Sequence, residues 1–128
     1  MSAAPPAPRV LLVDDNHGFR HELRLLLEDC GIEVVAEGEN GQEAVDLAAR
    51  TDADVVLMDL RMPVMDGLQA ARALRDQAPA LPVIILSAYE DPALKSEAAA
   101  ANAYAYLVKG CSGSLVLDTI EQAYQATR

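Results

Sequence analysis

The chain has 128 residues, 52% of them hydrophobic, which predicts one compact domain with a core and little room for a second. Its formal net charge of −10 argues against direct binding to nucleic acid, whose phosphates would repel it, and favours a cation or a basic surface as partner. No apolar run is long enough to cross a bilayer and no signal-peptide pattern opens the chain, so we expect a cytoplasmic protein without membrane contact.

The predicted elements alternate between strands and helices. Residues 1–8 are small and proline-rich, which predicts a disordered leader before a single domain at 9–128. Short apolar runs predict five strands, at Arg9–Val13, Ile32–Ala36, Asp54–Asp59, Pro82–Ser87 and Ala103–Val108. Helical periodicity and end signals predict five helices, at about Gly18–Asp29, Asn40–Thr51, Asp66–Ala78, Pro92–Asn102 and Ser114–Ala126.

This alternation predicts the fold class. Helices that follow strands through short loops form βα units, and right-handed crossovers then place helices on both faces of a parallel sheet. The third and fourth strands each contain four consecutive apolar residues, Val55–Met58 and Val83–Leu86, which is typical of strands buried on both faces. The second run is less apolar at its end and is expected at an edge. We therefore predict an α/β, doubly wound, five-stranded parallel sheet.

Polar side chains stand where the predicted strands end. Asp14 and Asp15 follow the first strand, Asp59 ends the third, Ser87 ends the fourth and Lys109 follows the fifth. Because the C-terminal ends of parallel strands share the edge where open α/β sheets bind ligands, these five side chains should converge. Three neighbouring carboxylates would raise at least one pKa unless a cation lies among them. Oxygen ligands without His or Cys favour Mg²⁺ over zinc.

These residue types suit the formation of an aspartyl phosphate. Asp59 stands alone on the central strand and is the natural nucleophile, while Lys109 and Ser87 supply a charge and a hydroxyl to hold a phosphoryl oxygen. Each residue also has an ordinary explanation: Asp14 and Asp15 as acids at a helix start, Asp59 and Ser87 as turn residues, Lys109 as a solvated charge. Their coincidence at successive strand ends favours a functional site.

Four segments together resemble a response regulator receiver domain: Val-Asp-Asp at 13–15, Met-Asp-Leu-Arg-Met-Pro-Val-Met-Asp-Gly at 58–67, Leu-Ser-Ala at 86–88 and Tyr-Leu-Val-Lys at 106–109. The resemblance covers essentially everything after the leader. It implies a flavodoxin-like (βα)5 fold with strand order 2-1-3-4-5, and phosphorylation of Asp59 by a histidine kinase. It also implies Mg²⁺ ligands, namely Asp15, Asp59 and the Arg61 backbone carbonyl, with Asp14 acting through water.

The resemblance further implies a conformational switch. Lys109 and Ser87 would hold the phosphoryl group, and movement of Ser87 would leave space for Tyr106, reshaping the surface of the fourth helix, fifth strand and fifth helix. The alternative for Tyr106 is an ordinary edge aromatic with its hydroxyl in water. Tyr89, two residues after Ser87, could influence how water reaches the phosphoryl group.

The chain looks most similar to receivers that precede a helix-turn-helix DNA-binding domain. This implies control of transcription through an output domain absent from this chain. A homodimer could use the fourth helix, fifth strand and fifth helix, or the first and fifth helices. The sequence departs from the family at Gly110, where many receivers have proline, and glycine does not enforce the cis peptide that is usual there. Asn102 is expected to adopt the left-handed helix-ending conformation where glycine is common.

Two other function classes compete with a phosphorylated switch. A phosphatase of the haloacid-dehalogenase type also uses a strand-end aspartate, but it needs a second acid two residues later, where Arg61 stands. We therefore expect a signalling domain that catalyses only its own phosphorylation and dephosphorylation, and not an enzyme. The remaining alternative is a phosphorylation-independent interaction or dimerisation module, which would predict loss of the acidic pair, Ser87 or Lys109, and all are present.

Four residues that could carry chemistry have simpler explanations. His17 and His21 are four apart on the first helix, a spacing that can hold a metal, but no third ligand is evident, so solvated or capping histidines are expected. Cys30 and Cys111 lack the paired spacing of a disulfide framework or a zinc site. Cys30, at a predicted helix end, is expected to be a small core residue.

Overall fold

The computed structural model describes residues 7–127, in which five strands and five helices alternate. The strands β1 to β5 span Arg9–Val13, Glu33–Gly38, Val55–Met58, Val83–Ser87 and Ala105–Val108. The helices α1 to α5 span His17–Asp29, Gly41–Arg50, Gly67–Gln77, Pro92–Ala100 and Gly113–Ala126. Most of the predicted leader, residues 1–6, lies outside the described residues, while Pro8 beside β1 is buried. No helix within residues 7–127 is long and apolar enough to span a membrane.

The sheet is parallel throughout, with strand order β2-β1-β3-β4-β5. This confirms the predicted doubly wound α/β class and the order 2-1-3-4-5, with β2 at an edge. Successive strand residues point to opposite faces, so β1 contributes Val10 and Leu12 to one core and Leu11 and Val13 to the other. Helices α1 and α5 cover the first core, and α2, α3 and α4 cover the second.

The predicted elements are all present, and several of their ends differ from prediction by one or two residues. Helix α1 begins at His17, one residue before the predicted start, because the Asn16 side chain accepts a hydrogen bond from the Phe19 N–H. Strand β2 continues to Gly38, two residues past the predicted end, since its pairing with β1 extends that far.

Helix α4 and Cys30 give one confirmed and one wrong expectation. Of the nine residues of α4, all of them described, only Ala98 is buried, and the chain after the helix adopts a left-handed conformation at Asn102, with φ 66°, as predicted. Cys30 is exposed, so its assignment to the core is wrong. It caps the end of α1, where its N–H bonds back to the Leu27 carbonyl, and Leu27 fills the core in its place.

Val64, in the loop between β3 and α3, has a left-handed backbone. Its φ is 69°, and the Met65 N–H donates to the Pro63 carbonyl at 2.7 Å, which closes a three-residue turn around it. A β-branched residue is disfavoured at positive φ because its side chain crowds the backbone. The Val64 side chain is 84% exposed, so burial does not compensate. The conformation at Val64 is therefore imposed by the surrounding loop.

We expect Val64→Gly to raise the free energy of unfolding by about 1 kcal/mol, because glycine adopts positive φ without the steric cost of a side chain. The greater freedom of glycine in the unfolded chain offsets part of the gain. Urea denaturation would measure the change. Val64→Ala is the matched control, since it keeps a Cβ and should gain less. A Val64→Gly protein less stable than Val64→Ala would contradict strain at this position.

Candidate functional site

The backbone carries the acids to one edge of the sheet. Asp59 directly follows β3, and its N–H donates to the Val13 carbonyl at 2.9 Å, which extends the sheet pairing by one residue. Across β1, the Asp14 N–H donates to the Gly38 carbonyl at 3.0 Å. These main-chain bonds hold the two aspartates beside each other at the C-terminal ends of neighbouring strands. Asp14 and Asp59 are 2% and 8% exposed.

Three carboxylates meet at this edge. One oxygen from each of Asp14, Asp15 and Asp59 lies within 4.8 Å of the others. Asp15 is exposed, so the cluster opens to solvent on its side. The predicted convergence of the acids is thus present, and its all-oxygen donor set suits a hard divalent cation.

Lys109 lies against two of the acids. Its Nζ is 2.8 Å from Asp14 Oδ2 and 3.6 Å from Asp59 Oδ2. The same ammonium lies 4.3 Å from the centre of the Phe19 ring, which covers it on another side. Within residues 7–127 no peptide bond is cis, so the bond after Lys109 is trans, and Gly110 adopts φ 95°.

The Asp59 carboxyl has an unusual pKa. Burial raises it most and the neighbouring Asp14 charge raises it further, whereas Lys109 and the Leu60 N–H lower it, and the resulting pKa is about 6. The Leu60 N–H donates to Asp59 Oδ1 at 2.8 Å, so one oxygen is fixed by the backbone and the other faces Lys109. Asp59 is ionised at neutral pH but at an energetic cost, which is typical of a functional group.

The loop after Asp59 closes tightly over it. The Gly67 N–H donates to the Leu60 carbonyl at 2.7 Å, and a Cβ at Gly67 would lie 2.2 Å from the Asp59 carbonyl oxygen. No side chain fits there, so glycine is required by close approach. In the same loop the Arg61 guanidinium lies over the Tyr89 ring, 4.9 Å from its centre.

Ser87 and the two tyrosines form a separate hydrogen-bonded chain. Ser87, at the end of β4, is fully buried, and its Oγ accepts from the Tyr89 N–H at 3.0 Å. The Tyr106 hydroxyl donates to the Tyr89 carbonyl. The hydrogen bond of Ser87 is therefore with Tyr89 rather than with the acids. The hydroxyl of Tyr106, left open to water in one prediction, is held by the main chain.

The site includes a residue that the sequence does not mark. Arg20 is buried, and its side chain donates to the Asp14 carbonyl at 2.6 Å. It lies on α1 among other charged residues, so its periodicity looks like that of a surface arginine. His17 and His21, which stack with ring centres 6.5 Å apart, lie outside the acid cluster.

Comparison with known proteins gives one consistent result. A family model described as a response regulator receiver domain matches residues 10–121. The transcriptional regulatory protein PdtaR of Mycobacterium tuberculosis is 39% identical, over 94% of this chain and 58% of PdtaR. The response regulator UvrY of Escherichia coli is 37% identical, over 93% of this chain and 55% of UvrY. The chain thus spans just over half the length of these relatives.

Solved structures agree with the sequence matches. The signal receiver domain of the response regulator NarL from Mycobacterium tuberculosis has a TM-score of 0.90 and 31% identity, covering 94% of this chain and 98% of that one. A LuxR-family two-component response regulator from Aurantimonas has the same TM-score of 0.90 and 31% identity, covering 96% of this chain and 89% of that one.

Proposed function

Because the chain belongs to the family of response regulator receiver domains, we propose that it is a signalling switch that accepts a phosphoryl group on Asp59 from a histidine kinase. The observation that carries the proposal is the setting of Asp59. It is buried beside the carboxylates of Asp14 and Asp15, with a lysine ammonium 3.6 Å from one of its oxygens. A nucleophile and a charge that could hold the transferred group stand side by side.

The acid cluster fits Mg²⁺. Its donors are carboxylate oxygens, with no His or Cys among them. Hard cations such as Mg²⁺ prefer oxygen ligands of this kind. We expect Asp15, Asp59 and the Arg61 backbone carbonyl to hold the ion, with Asp14 contributing through water. When bound, the ion supplies positive charge that offsets repulsion among the acids and the charge of the phosphoryl oxygens.

The transfer uses side chains already in place. A carboxylate oxygen of Asp59 attacks the phosphorus of a phosphohistidine, a P–O bond forms, and the P–N bond breaks with its electron pair passing to the imidazole nitrogen. Lys109 is held within reach by its 2.8 Å ion pair with Asp14, so its ammonium can bind a phosphoryl oxygen without a large movement. Asp59 must be ionised to attack, and its pKa of about 6 permits this at neutral pH.

The hydrogen bonds of Ser87 suggest how the signal leaves the site. A phosphoryl oxygen on Asp59 would accept a hydrogen bond from the Ser87 hydroxyl, and movement of Ser87 towards it would draw Oγ away from the Tyr89 N–H. Movement of Ser87 releases the Tyr89 backbone, whose carbonyl holds the Tyr106 hydroxyl. Tyr106 is then free to turn inward and reshape the surface of α4, β5 and α5. A homodimer could form there or through α1 and α5.

The output is proposed from the relatives. PdtaR is named a transcriptional regulatory protein, and the chain covers 58% of it. We propose that this domain acts in the cytoplasm and controls transcription through an output domain. The net charge of −10 supports a domain that does not itself contact nucleic acid. The alternative is an interaction or dimerisation module that works without phosphorylation.

Intact mass spectrometry tests the proposal. Wild-type protein incubated with Mg²⁺ and acetyl phosphate, or with phosphoramidate to present a P–N bond, should gain the mass of one phosphoryl group. Asp59→Asn should gain none, and omission of Mg²⁺ should abolish the gain. Asp46→Asn, an exposed aspartate on α2, is the control and should be phosphorylated like the wild type. Folded wild type without an adduct would favour the phosphorylation-independent alternative.

A further inference from the structure

Arg20, near the start of α1, is a buried cation that the phosphoryl transfer does not use. Its side chain is 8% exposed, and its Nε donates to Glu37 Oε1 on β2 at 2.8 Å. One terminal nitrogen donates to the Asp14 carbonyl at 2.6 Å, and the other lies 3.1 Å from His17 Nδ1. A planar guanidinium engaged on three sides has a fixed orientation, which a flexible ammonium could not reproduce.

The carbonyl that Arg20 binds belongs to the peptide unit joining Asp14 to Asp15. A peptide unit is planar, so holding its oxygen also sets the direction in which the chain enters Asp15. Other contacts fix the Asp14 carboxylate. Its Oδ1 accepts a hydrogen bond from the Asn16 N–H at 2.8 Å, and its Oδ2 lies 2.8 Å from Lys109 Nζ. Asp15 is exposed and reaches the cluster from a turn, so its placement depends on that peptide unit.

Acidic groups around Arg20 allow it to be buried here. Glu37 pairs with it at 2.8 Å and Glu39 lies 3.8 Å away. Glu37 also accepts from Arg24, one turn further along α1. Arg24 therefore shares the partner of Arg20 on β2, but the described structure gives it no bond to the Asp14 carbonyl. The two arginines differ in the contact that matters for the acid cluster.

We propose that Arg20 is a positioning residue for the divalent cation site, holding the Asp14–Asp15 peptide unit so that the Asp15 carboxylate faces Asp59. This inference rests on the proposed function, because it assumes that the acid cluster binds Mg²⁺. Arg20 contacts neither the cation nor the reacting oxygen in this role. It acts through the main chain of the residues that do.

Positioning and charge predict opposite effects of removing Arg20. A positive charge close to a cation site opposes binding, so a purely electrostatic role predicts tighter Mg²⁺ binding when the charge is removed. Loss of an orienting partner predicts weaker binding, and such outer partners of metal ligands are worth about 10- to 100-fold in affinity. The sign of the change therefore separates the two roles.

The experiment is a Mg²⁺ titration of the unphosphorylated protein, in which binding is measured by amide NMR shifts or by calorimetry. Arg20→Gln should raise the Kd for Mg²⁺ by at least about 10-fold. Arg24→Gln, which removes the same charge and a bond to the same glutamate, should bind Mg²⁺ as the wild type does. Urea denaturation of both variants in parallel shows whether any loss of affinity merely follows a loss of stability.

The outcomes divide cleanly. A Kd for Arg20→Gln equal to or below the wild-type value would overturn the inference while leaving the proposed function intact. Wild-type protein that does not bind Mg²⁺ would overturn the proposed function, and the inference with it. Should Arg20→Gln be unfolded, Arg20→Lys decides the matter. It keeps the charge but cannot hold Glu37 and the Asp14 carbonyl together, so weaker Mg²⁺ binding supports the inference and wild-type affinity overturns it.

Discussion

At pH 7 and without Mg²⁺, we expect the free energy of unfolding of the Asp59→Asn protein to be about 2 kcal/mol higher than that of the wild type. Burial, and then the charge of Asp14, raise the pKa of the Asp59 carboxyl to about 6, although Lys109 opposes them. Holding that carboxylate ionised therefore costs the folded state free energy. Asparagine has nearly the same shape and carries no charge, so the substitution removes this cost.

The gain should depend on pH in a way that identifies its cause. Below the ordinary aspartate value of 3.8 the carboxyl is protonated in both states, and Asp59→Asn should bring no advantage. As pH rises from there towards 6, the unfolded chain has lost its proton while the folded state still holds it, so the wild type loses stability. Above that window the difference should stay constant.

Urea denaturation at several pH values in the presence of a chelator measures this profile. Asp46→Asn, on the exposed surface of α2, is the control and should show no such window. Addition of Mg²⁺ should narrow the gap at neutral pH, because a cation bound by the wild-type acids offsets their repulsion. An advantage of Asp59→Asn that is the same at all pH values would contradict the pKa argument. The variant that cannot be phosphorylated is thus expected to be the more stable one.

The fold and the acid cluster were predictable because both follow from patterns along the chain. Short apolar runs that alternate with segments of helical periodicity predict a parallel, doubly wound sheet. In such a sheet the C-terminal ends of all strands lie at the same edge. The sequence alone therefore predicts that four side chains lie close together, those of Asp14, Asp15, Asp59 and Lys109. Asn102 was equally accessible, since its tendency to adopt positive φ is local.

What could not be predicted depends on contacts between distant segments. Arg20 is buried because Glu37, 17 residues later, and the Asp14 carbonyl meet it, and neither contact leaves a mark in the helical pattern. Val64 adopts a conformation that its own preferences oppose, within a turn that the bond from the Met65 N–H to the Pro63 carbonyl closes. The bond from the Tyr106 hydroxyl to the Tyr89 carbonyl likewise arises only when β5 is placed beside β4.

Replacing Lys109 with methionine is expected to slow phosphorylation of Asp59 by acetyl phosphate about 10²- to 10³-fold at saturating Mg²⁺. Methionine keeps most of the apolar stem but removes the ammonium that lies 2.8 Å from Asp14 and 3.6 Å from Asp59. Without it, no lysine charge is placed to hold the phosphoryl oxygens as the P–O bond forms. The rate is measured by intact mass over time. Lys95→Met, on the exposed surface of α4, is the control and should react like the wild type.

The pH dependence of the Lys109→Met rate separates two causes of the loss. Lys109 lowers the pKa of Asp59, so its removal should raise that pKa further and leave less of the nucleophile ionised at neutral pH. If reduced ionisation were the whole effect, raising the pH until Asp59 is fully ionised would restore the wild-type rate. We expect most of the loss in rate to remain at high pH, because the Lys109 ammonium is still missing from the transferred phosphoryl group. Full recovery at high pH would show instead that Lys109 serves to keep Asp59 charged.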